Sequence, residues 1–567
     1  MVSPYLARKT ESALTLNENT RKLFQIIYNE QKKSVKESDD IPKIKVSELI
    51  SKMAFYYEKI RNSVDYKEEN LLRKNAVERI LRRQIVIEGA IRVSTSEEIA
   101  KDLLAELIRA GYLPNNEIPE KKIKEIASII EKYLKLRNYS LARIGFSEHV
   151  KNGKVGQATG DFQEINDLTN WFMSLAASEI EESLGWDKIE QIVVSNMLEN
   201  LGKNIKLSDD LPFGKDKEIQ IYLSIHRNFL RFDRDMLSFI LFKYFNANWA
   251  EEPRDEEIAK IAQNIGSLRQ SITQQLTHPL AKQLDKIVSR YAVYFSILAE
   301  VIEKDPVSVY DEIKNDIKAF PRLIKKACGQ KYKDIKSKLW RAAVRSIIYI
   351  FLTKLFFAIL KIKIPAIQQF SVEVSPIFLA VDISFPSFLL FLVALFTKIP
   401  VEENSEKIIS GIKEIAFLEN DRREPIVLRQ PAKRGKLTNA IFSLIYAITF
   451  FLSFGLVVWV LDKINFTRGN IIVFLLFLAL VSFLGIRIRR GVREFIVVEL
   501  RENIFSFLID FLYTPIIAAG QWLSEKISQI NIFIFVLDFI IEAPFKIFVE
   551  ITEDWTRYVK ERREDIK

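Results

Sequence analysis

Two uncharged runs constrain this chain more than any other feature of its sequence. No Asp, Glu, Lys or Arg occurs between Lys436 and Asp462, which leaves 25 consecutive uncharged positions, and 18 more lie between Arg468 and Arg487. A helix needs about 20 apolar residues to cross the hydrocarbon core of a bilayer, with about 17 tolerated. Both runs reach that limit, and the short segment between them suits a hairpin. A charge at the bilayer centre costs upward of about 2.5 kcal/mol, so its absence over such lengths is informative. The competing reading is an apolar hairpin buried in the core of a soluble protein.

The flanks give an orientation. Arg429, Lys433, Arg434 and Lys436 precede the pair, Arg487, Arg489, Arg490 and Arg493 follow it, and the connection has only Lys463 and Arg468 as bases. The positive-inside rule then puts both ends in the cytoplasm and the short loop outside. Trp459 falls where an outer aromatic belt would lie. The expected location is the cytoplasmic membrane of a prokaryote, with both termini cytoplasmic. Residues 1–20 lack the apolar core of a signal peptide.

A second hairpin is expected at about 346–360 and 374–396, each run interrupted by one charge, Lys354 and Asp382. Chain direction brings these two to comparable depth in antiparallel helices. They form a candidate intramembrane pair, either an ion or proton site or a structural contact. Pro365, Pro376 and Pro386 allow a broken or re-entrant path instead. Beyond Arg493 the pattern changes. Glu499, Glu502, Ser506 and Asp510, then Asp538, Glu542 and Lys546, recur at spacings of three and four on otherwise apolar helices. Residues 494–552 therefore read as amphipathic interfacial helices, anchored by Trp522, Trp555 and Tyr558. Residues 553–567 form a charged cytoplasmic tail.

The first 337 residues read differently, with charges every two to four positions. After a loose tail at 1–20, helical periodicity predicts a subdomain over 21–137 and a second, bundle-like one over 161–337. Gly145, Gly153, Gly156 and Gly160 mark 138–160 as a linker between them. A stripe at Leu71, Leu72, Val77, Ile80 and Leu81 marks one buried helix face over 67–87. Ser94 to Glu98 has the look of a capping box, with Gly111 and Pro114 as the stop. One long helix is expected over 217–245. Strand content should be small, with 43–46 and 84–93 the best short candidates. The fold class is therefore mainly α, a cytoplasmic helical bundle region followed by a helical membrane region spanning 338–493.

Chemistry is harder to find. The net charge of +10 could serve nucleic acid or an anionic membrane. The densest basic run, Arg322 to Arg345, abuts the first apolar segment and lacks the regular aromatic interleaving of a single-strand binding surface, with Tyr332 and Trp340 its only aromatics, so a lipid bilayer is favoured over nucleic acid. Cys328 is the only cysteine, which rules out an intrachain disulfide and a cysteine metal cluster. No catalytic, metal or cofactor motif is present, and no cofactor is expected. The carboxylate pairs Glu181–Glu182 and Glu251–Glu252 read as solvated helix ends. The one polar knot in an apolar region is His226, Arg227, Arg231 and Asp235. It is a candidate docking site for an anion or a protein partner, or a surface ion-pair network on one helix.

The segment Asp538-Phe539-Ile540-Ile541-Glu542-Ala543-Pro544-Phe545-Lys546, with Gly520-Gln521-Trp522-Leu523-Ser524, resembles uncharacterised multi-pass membrane proteins of candidate-phylum bacteria. The resemblance covers less than a tenth of the chain and implies no activity. Three functions stay open. The leading one is a membrane-anchored interaction or scaffold protein that binds a protein partner through its cytoplasmic helices. The others are a small-solute or ion transporter and a membrane-associated enzyme acting on lipid or envelope substrates.

Overall fold

The computed structural model describes residues 16–33, 42–65, 71–87, 94–143, 159–185, 188–250, 253–315, 319–363, 376–397, 401–417, 424–430, 435–498 and 504–529, with isolated positions from 548 to 563. The protein is mainly helical. Helices α1 (Glu18–Lys33), α2 (Glu48–Asp65), α3 (Leu72–Arg82), α4 (Ser96–Arg109), α5 (Lys121–Arg143), α6 (Thr159–Ser183) and α7 (Lys188–Asn204) come first. Strand β1 (Ile205–Leu207) and helices α8 (Lys217–Asn228), α9 (Arg234–Phe245), α10 (Asp255–Gln263), α11 (Ile265–Leu276) and α12 (Ala281–Lys304) follow. Next are α13 (Pro306–Asn315), α14 (Ala319–Lys363), α15 (Pro376–Leu395), α16 (Val401–Ala416) and β2 (Ile426–Leu428). The last helices are α17 (Lys436–Lys463), α18 (Arg468–Arg493) and α19 (Ile504–Gln529). Two compact units result. One comprises Glu18–Ala292, Arg422–Gln430 and Ile541–Lys567, the other Met1–Asn17, Val293–Asp421 and Pro431–Ile540.

In the first unit α3, α4, α5, α6 and α9 share one core that includes Val77, Leu103, Tyr133, Phe172 and Phe239. Local sequence sets the ends of its helices. Thr95 caps α4 with a full capping box, its hydroxyl accepting from Glu98 N while the Glu98 carboxylate accepts from Thr95 N. Gly111, at φ +79°, ends that helix in a conformation that strains any other residue. The stripe on α3 is only partly as expected. Val77, Ile80 and Leu81 are buried and Leu72 is half-buried, while Lys74 sits on the same face at 0 % exposure. A single helix over 217–245 is not formed. The chain breaks after Asn228, turns through Arg231 at φ +56°, and restarts where the Asp233 carboxylate accepts from Met236 N. A local cap and a left-handed residue override the apolar periodicity that runs through the break.

Two further expectations change. Residues 138–143 continue α5 rather than opening a linker, and the glycines Gly145, Gly153 and Gly156 lie outside the described residues. Neither proposed strand forms among the described residues, and 88–93 of the second lie outside them. Lys43 makes an isolated bridge to Pro119, and 83–87 is a π-helical turn. The strands found, β1 and β2, pair in parallel with Ile205 opposite Ile426, although 218 residues lie between the end of β1 and the start of β2. Neither run was long enough to signal a strand.

In the second unit the expected span at 346–360 is the last third of a continuous 45-residue helix, so the 337/338 boundary falls inside α14. Helices α14, α15 and α18 pack together around Ile350, Leu390 and Val481. Trp340 lies against Phe391, and Ser387 Oγ lies 3.5 Å from the Ile347 carbonyl, which fixes α14 and α15 as antiparallel. Helix α16, which the sequence had not suggested, is held by Asn404. That side chain is fully buried; Nδ2 donates to Tyr332 Oη and to the Phe495 carbonyl, each at 3.0 Å, and Oδ1 accepts from Val497 N at 2.7 Å. All of its polar capacity is used, which is what makes a buried amide tolerable. Of the C-terminal stripes, Asp510 is exposed on α19; Glu499, Glu502, Asp538, Glu542 and Lys546 lie outside the described residues, as does the side chain of Ser506.

Candidate functional site

The site is built on an ion-pair lattice. Helix α6 carries Glu179, Glu181 and Glu182, and each is met by a cation from a different helix. Lys132 of α5 pairs with Glu179, Arg73 of α3 reaches both oxygens of Glu181 at 2.8 and 2.9 Å, and Lys243 of α9 reaches Glu182 at 2.5 Å. The expected solvated pair Glu181–Glu182 is therefore corrected, because adjacent helices take one carboxylate each. Trp249 Nε1 also donates to Glu179, at 2.9 Å. Part-buried charges of this kind must stay paired, so they hold α3, α5 and α9 in one register on α6.

A cleft of about 340 Å³ opens among α3, α6, α9 and α11. Its walls present Glu78 and Arg82 from α3, Asp167 and Trp171 from α6, Arg234 and Asp235 from α9, and Arg269 from α11. Beside it lies Lys74, whose Nζ meets Asp235 at 2.8 Å and Glu78 and Asp233 at 3.2 Å. Burial alone would lower the Lys74 pKa; the three carboxylates outweigh it and hold the ammonium above the ordinary lysine value. Arg82 is paired with Glu78 at 2.7 Å. The Arg269 guanidinium lies 5.7 Å from the centre of the Trp171 ring, a cation–π contact. Arg234 is exposed and has no ion-pair partner among the described residues. A larger hollow of about 500 Å³, lined by Ser140, Glu164, Gln263 and Arg269 among others, holds one acid and one base and shares Arg269 with the cleft.

The chemistry on offer is recognition. A guanidinium presents a planar fork that matches a carboxylate or phosphate, and Arg234 and Arg269 point that chemistry into one cleft. The two serines in the wall are engaged elsewhere. Ser174 Oγ donates to the Trp171 carbonyl at 2.9 Å and Ser238 Oγ to that of Arg234 at 2.7 Å. Among the described residues no group of three or more His, Cys, Asp or Glu could hold a metal ion.

Of the four residues singled out from the sequence, only Asp235 lines this cleft. His226 is buried at 1 % exposure, between the rings of Tyr222 and Phe232. Its Nδ1 lies 2.8 Å from the Tyr222 carbonyl and so carries the proton, and burial pulls its pKa down to about 4. Arg227 binds both oxygens of Asp285, at 2.8 and 2.9 Å, and that carboxylate also accepts from Ser224 Oγ and Asn228 Nδ2. Arg231 sits on the exposed turn. The i to i+4 relation between Arg231 and Asp235 is lost because the helix breaks between them. Lys354 and Asp382 lie on α14 and α15, and the antiparallel register sets their backbones level to within about one helical turn. Their side chains lie outside the described residues.

No family model, curated protein or solved structure matches the chain. Its function has to be argued from its own geometry. Sequence reasoning passed over Lys74, Trp171, Arg234 and Arg269. Lys74 had a signal: it stands one turn from both Leu71 and Val77, a charge in the middle of an apolar stripe. The others are ordinary helix residues that become neighbours only through packing.

Proposed function

We propose that this protein is a membrane-anchored interaction protein, its second unit set in a bilayer and its first unit binding an acidic segment of a partner protein at the Arg234–Arg269 cleft. One observation carries the membrane assignment. Helix α17 is inside out: its buried positions are Thr449, Ser453 and Leu461, while Leu437, Phe451 and Trp459 are 60–77 % exposed. Only 17 % of its apolar window is buried. A soluble core helix would bury its Leu and Phe, each worth about 1.5–3 kcal/mol, and turn its hydroxyls outward. Lipid as the surrounding solvent explains the reversal, and the buried hydroxyls donate within the protein, Thr449 to the Ile445 carbonyl and Ser453 to those of Thr449 and Leu512. The flanking bases support a cytoplasmic side for both ends of this helix pair.

Two measurements test this reading. After alkaline carbonate washing the chain should stay in the membrane pellet; release into the supernatant overturns the membrane assignment. The full chain, purified in mild detergent, should recover a partner that Arg234→Glu with Arg269→Glu no longer recovers. Recovery of the same proteins by wild type and double variant overturns the cleft assignment.

The level placement of Lys354 and Asp382 favours a second reading, a solute or ion pathway through α14 and α15. Lys354→Ala and Asp382→Ala, alone and combined, separate it from a structural pair. A double variant that assembles better than either single one counts against transport.

A further inference from the structure

Along α14 the inward face keeps one character while the outward face changes. Ile324, Cys328, Tyr332, Leu339, Ala343 and Ile350 are all buried, so one side of the helix is packed over most of its length. On the outward side Lys333, Lys336, Arg341 and Arg345 are exposed. Beyond them Ile348, Phe351, Leu352 and Leu355 are 37–56 % exposed. The packing partner face is continuous through this point, so the change lies in the surroundings that suit the exposed side chains. A cationic face is stable in water or against anions, and an apolar one in lipid. The step between Arg345 and Ile348 marks where α14 passes from one to the other.

Neighbouring helices make the same change at the same level. Helix α18 is antiparallel to α14, with Tyr332 against Phe495 and Ile350 beside Val481. Exposed Arg487 and Arg490, just past the uncharged run of α18, therefore lie level with Arg341 to within about one turn. Phe396, just after α15, is 66 % exposed about level with Lys336, where an interfacial aromatic belongs. Arg341 and Arg345 make no ion pair with a described residue, and Arg490 meets Glu494 only at 3.8 Å. The other acids nearby are Asp334 and Asp510, both exposed, and Glu402, Glu403 and Glu406 of α16, which lie farther out, near Tyr332. From Lys336 to Arg345 the helix rises about 14 Å, the depth of a headgroup layer plus a screening length of about 8 Å. Lys325 and Lys326 stand about 30 Å from Arg345, beyond that reach.

We propose that Arg341 and Arg345 of α14, with Arg487 and Arg490 of α18, form a docking surface for the headgroups of anionic phospholipids. Charge complementarity selects the occupant. The four guanidiniums stand on the outside of the helices, where no cavity is needed, at the depth where a bilayer presents its phosphates. The proposal rests on the membrane assignment above and is independent of the cleft.

The test uses the full chain in non-ionic detergent, supplied with equal amounts of phosphatidylglycerol and phosphatidylcholine of matched acyl chains, and native mass spectrometry of the lipid retained. A base near an anionic surface is worth about fivefold in affinity, so phosphatidylglycerol should be retained about tenfold better. Arg341→Gln with Arg345→Gln should cut that preference by about threefold or more, and so should Arg487→Gln with Arg490→Gln. All four positions are exposed, which leaves the packing intact. Lys325→Gln with Lys326→Gln removes the same charge from the same helix farther out and should leave the preference unchanged. Equal retention of the two lipids by wild type overturns the proposal, as does an unchanged preference in both arginine variants. An equal loss in the lysine variant also overturns it, because net charge alone would then account for the effect. Neither inorganic phosphate nor a single-stranded oligonucleotide, at the concentration of the lipid, should displace phosphatidylglycerol; displacement by either overturns the lipid assignment. The carbonate wash is read in parallel. Release from the membrane fails the membrane assignment, whereas firm membrane retention without lipid preference fails this surface alone.

Discussion

Replacing His226 with Phe should make the protein less sensitive to acid. In the native state the imidazole is buried and neutral, with a pKa near 4 against an ordinary value of 6.5. Burial is the largest cause, the neighbouring Lys243 adds to it, and the hydrogen bond to Tyr222 opposes both. The sign follows from proton binding. Below pH 6.5 the unfolded chain takes up a proton that the folded one refuses, so stability is fully present above 6.5 and is lost as the pH falls toward 4. The full loss is about 3 kcal/mol, and at pH 5 it has reached about 2 kcal/mol. Phe keeps the ring between Tyr222 and Phe232 and gives up one hydrogen bond, about 1 kcal/mol at neutral pH. Urea unfolding of the full chain in non-ionic detergent, followed by tryptophan fluorescence at pH 7.5 and pH 5, gives the comparison. Wild type should lose about 2 kcal/mol more than His226→Phe between the two. Equal losses would refute the assignment of a buried neutral imidazole.

Three further outcomes follow from the packing. Lys74→Met should cost about 2–3 kcal/mol in the same unfolding assay, less than for a fully buried pair because Asp233 and Asp235 keep part of their water. Gly520→Val should separate α18 from α19, seen as faster proteolysis in detergent, while Gly455→Val on α17, with open space around it, should change little. The Cys328 thiol is buried and its pKa is pushed up to about 11, first by burial and then by Glu300, so a thiol reagent at pH 8 should label it slowly until denaturant is added.

The parts of this fold legible in the sequence are those whose cause is local. Uncharged runs gave α17 to within two residues and the start of α18 to within one, although α18 continues past its run to Arg493, and Thr95, Glu98 and Gly111 gave both ends of α4, because desolvation and capping act over a few neighbouring positions. The break at Phe229–Asp233 was hidden because Leu230 continues the apolar spacing while the cap that ends it depends on Asp233 alone. Helix α16 was hidden for the opposite reason. Its decisive residue is a polar Asn404 that is stable only when Tyr332 and the backbone after α18 arrive from distant parts of the chain. The cleft was invisible as a site, since Arg82, Trp171, Arg234 and Arg269 belong to four helices and no spacing links them.

The charges half-buried between helices of the first unit bear on what its cleft can do. In the first unit cations and carboxylates meet between helices: Glu179, Glu181 and Glu182 with Lys132, Arg73 and Lys243, Asp285 with Arg227, and Lys74 with Asp233 and Asp235. Such pairs contribute little net stability but penalise any other register, since a shift of one helix leaves a half-buried charge alone. Three of the four helices that wall the cleft, α3, α6 and α9, are so fixed, and Arg269 of the fourth lies against Trp171 of α6. In the second unit α18 and α19 are brought together by small residues, Ala479 and Gly520.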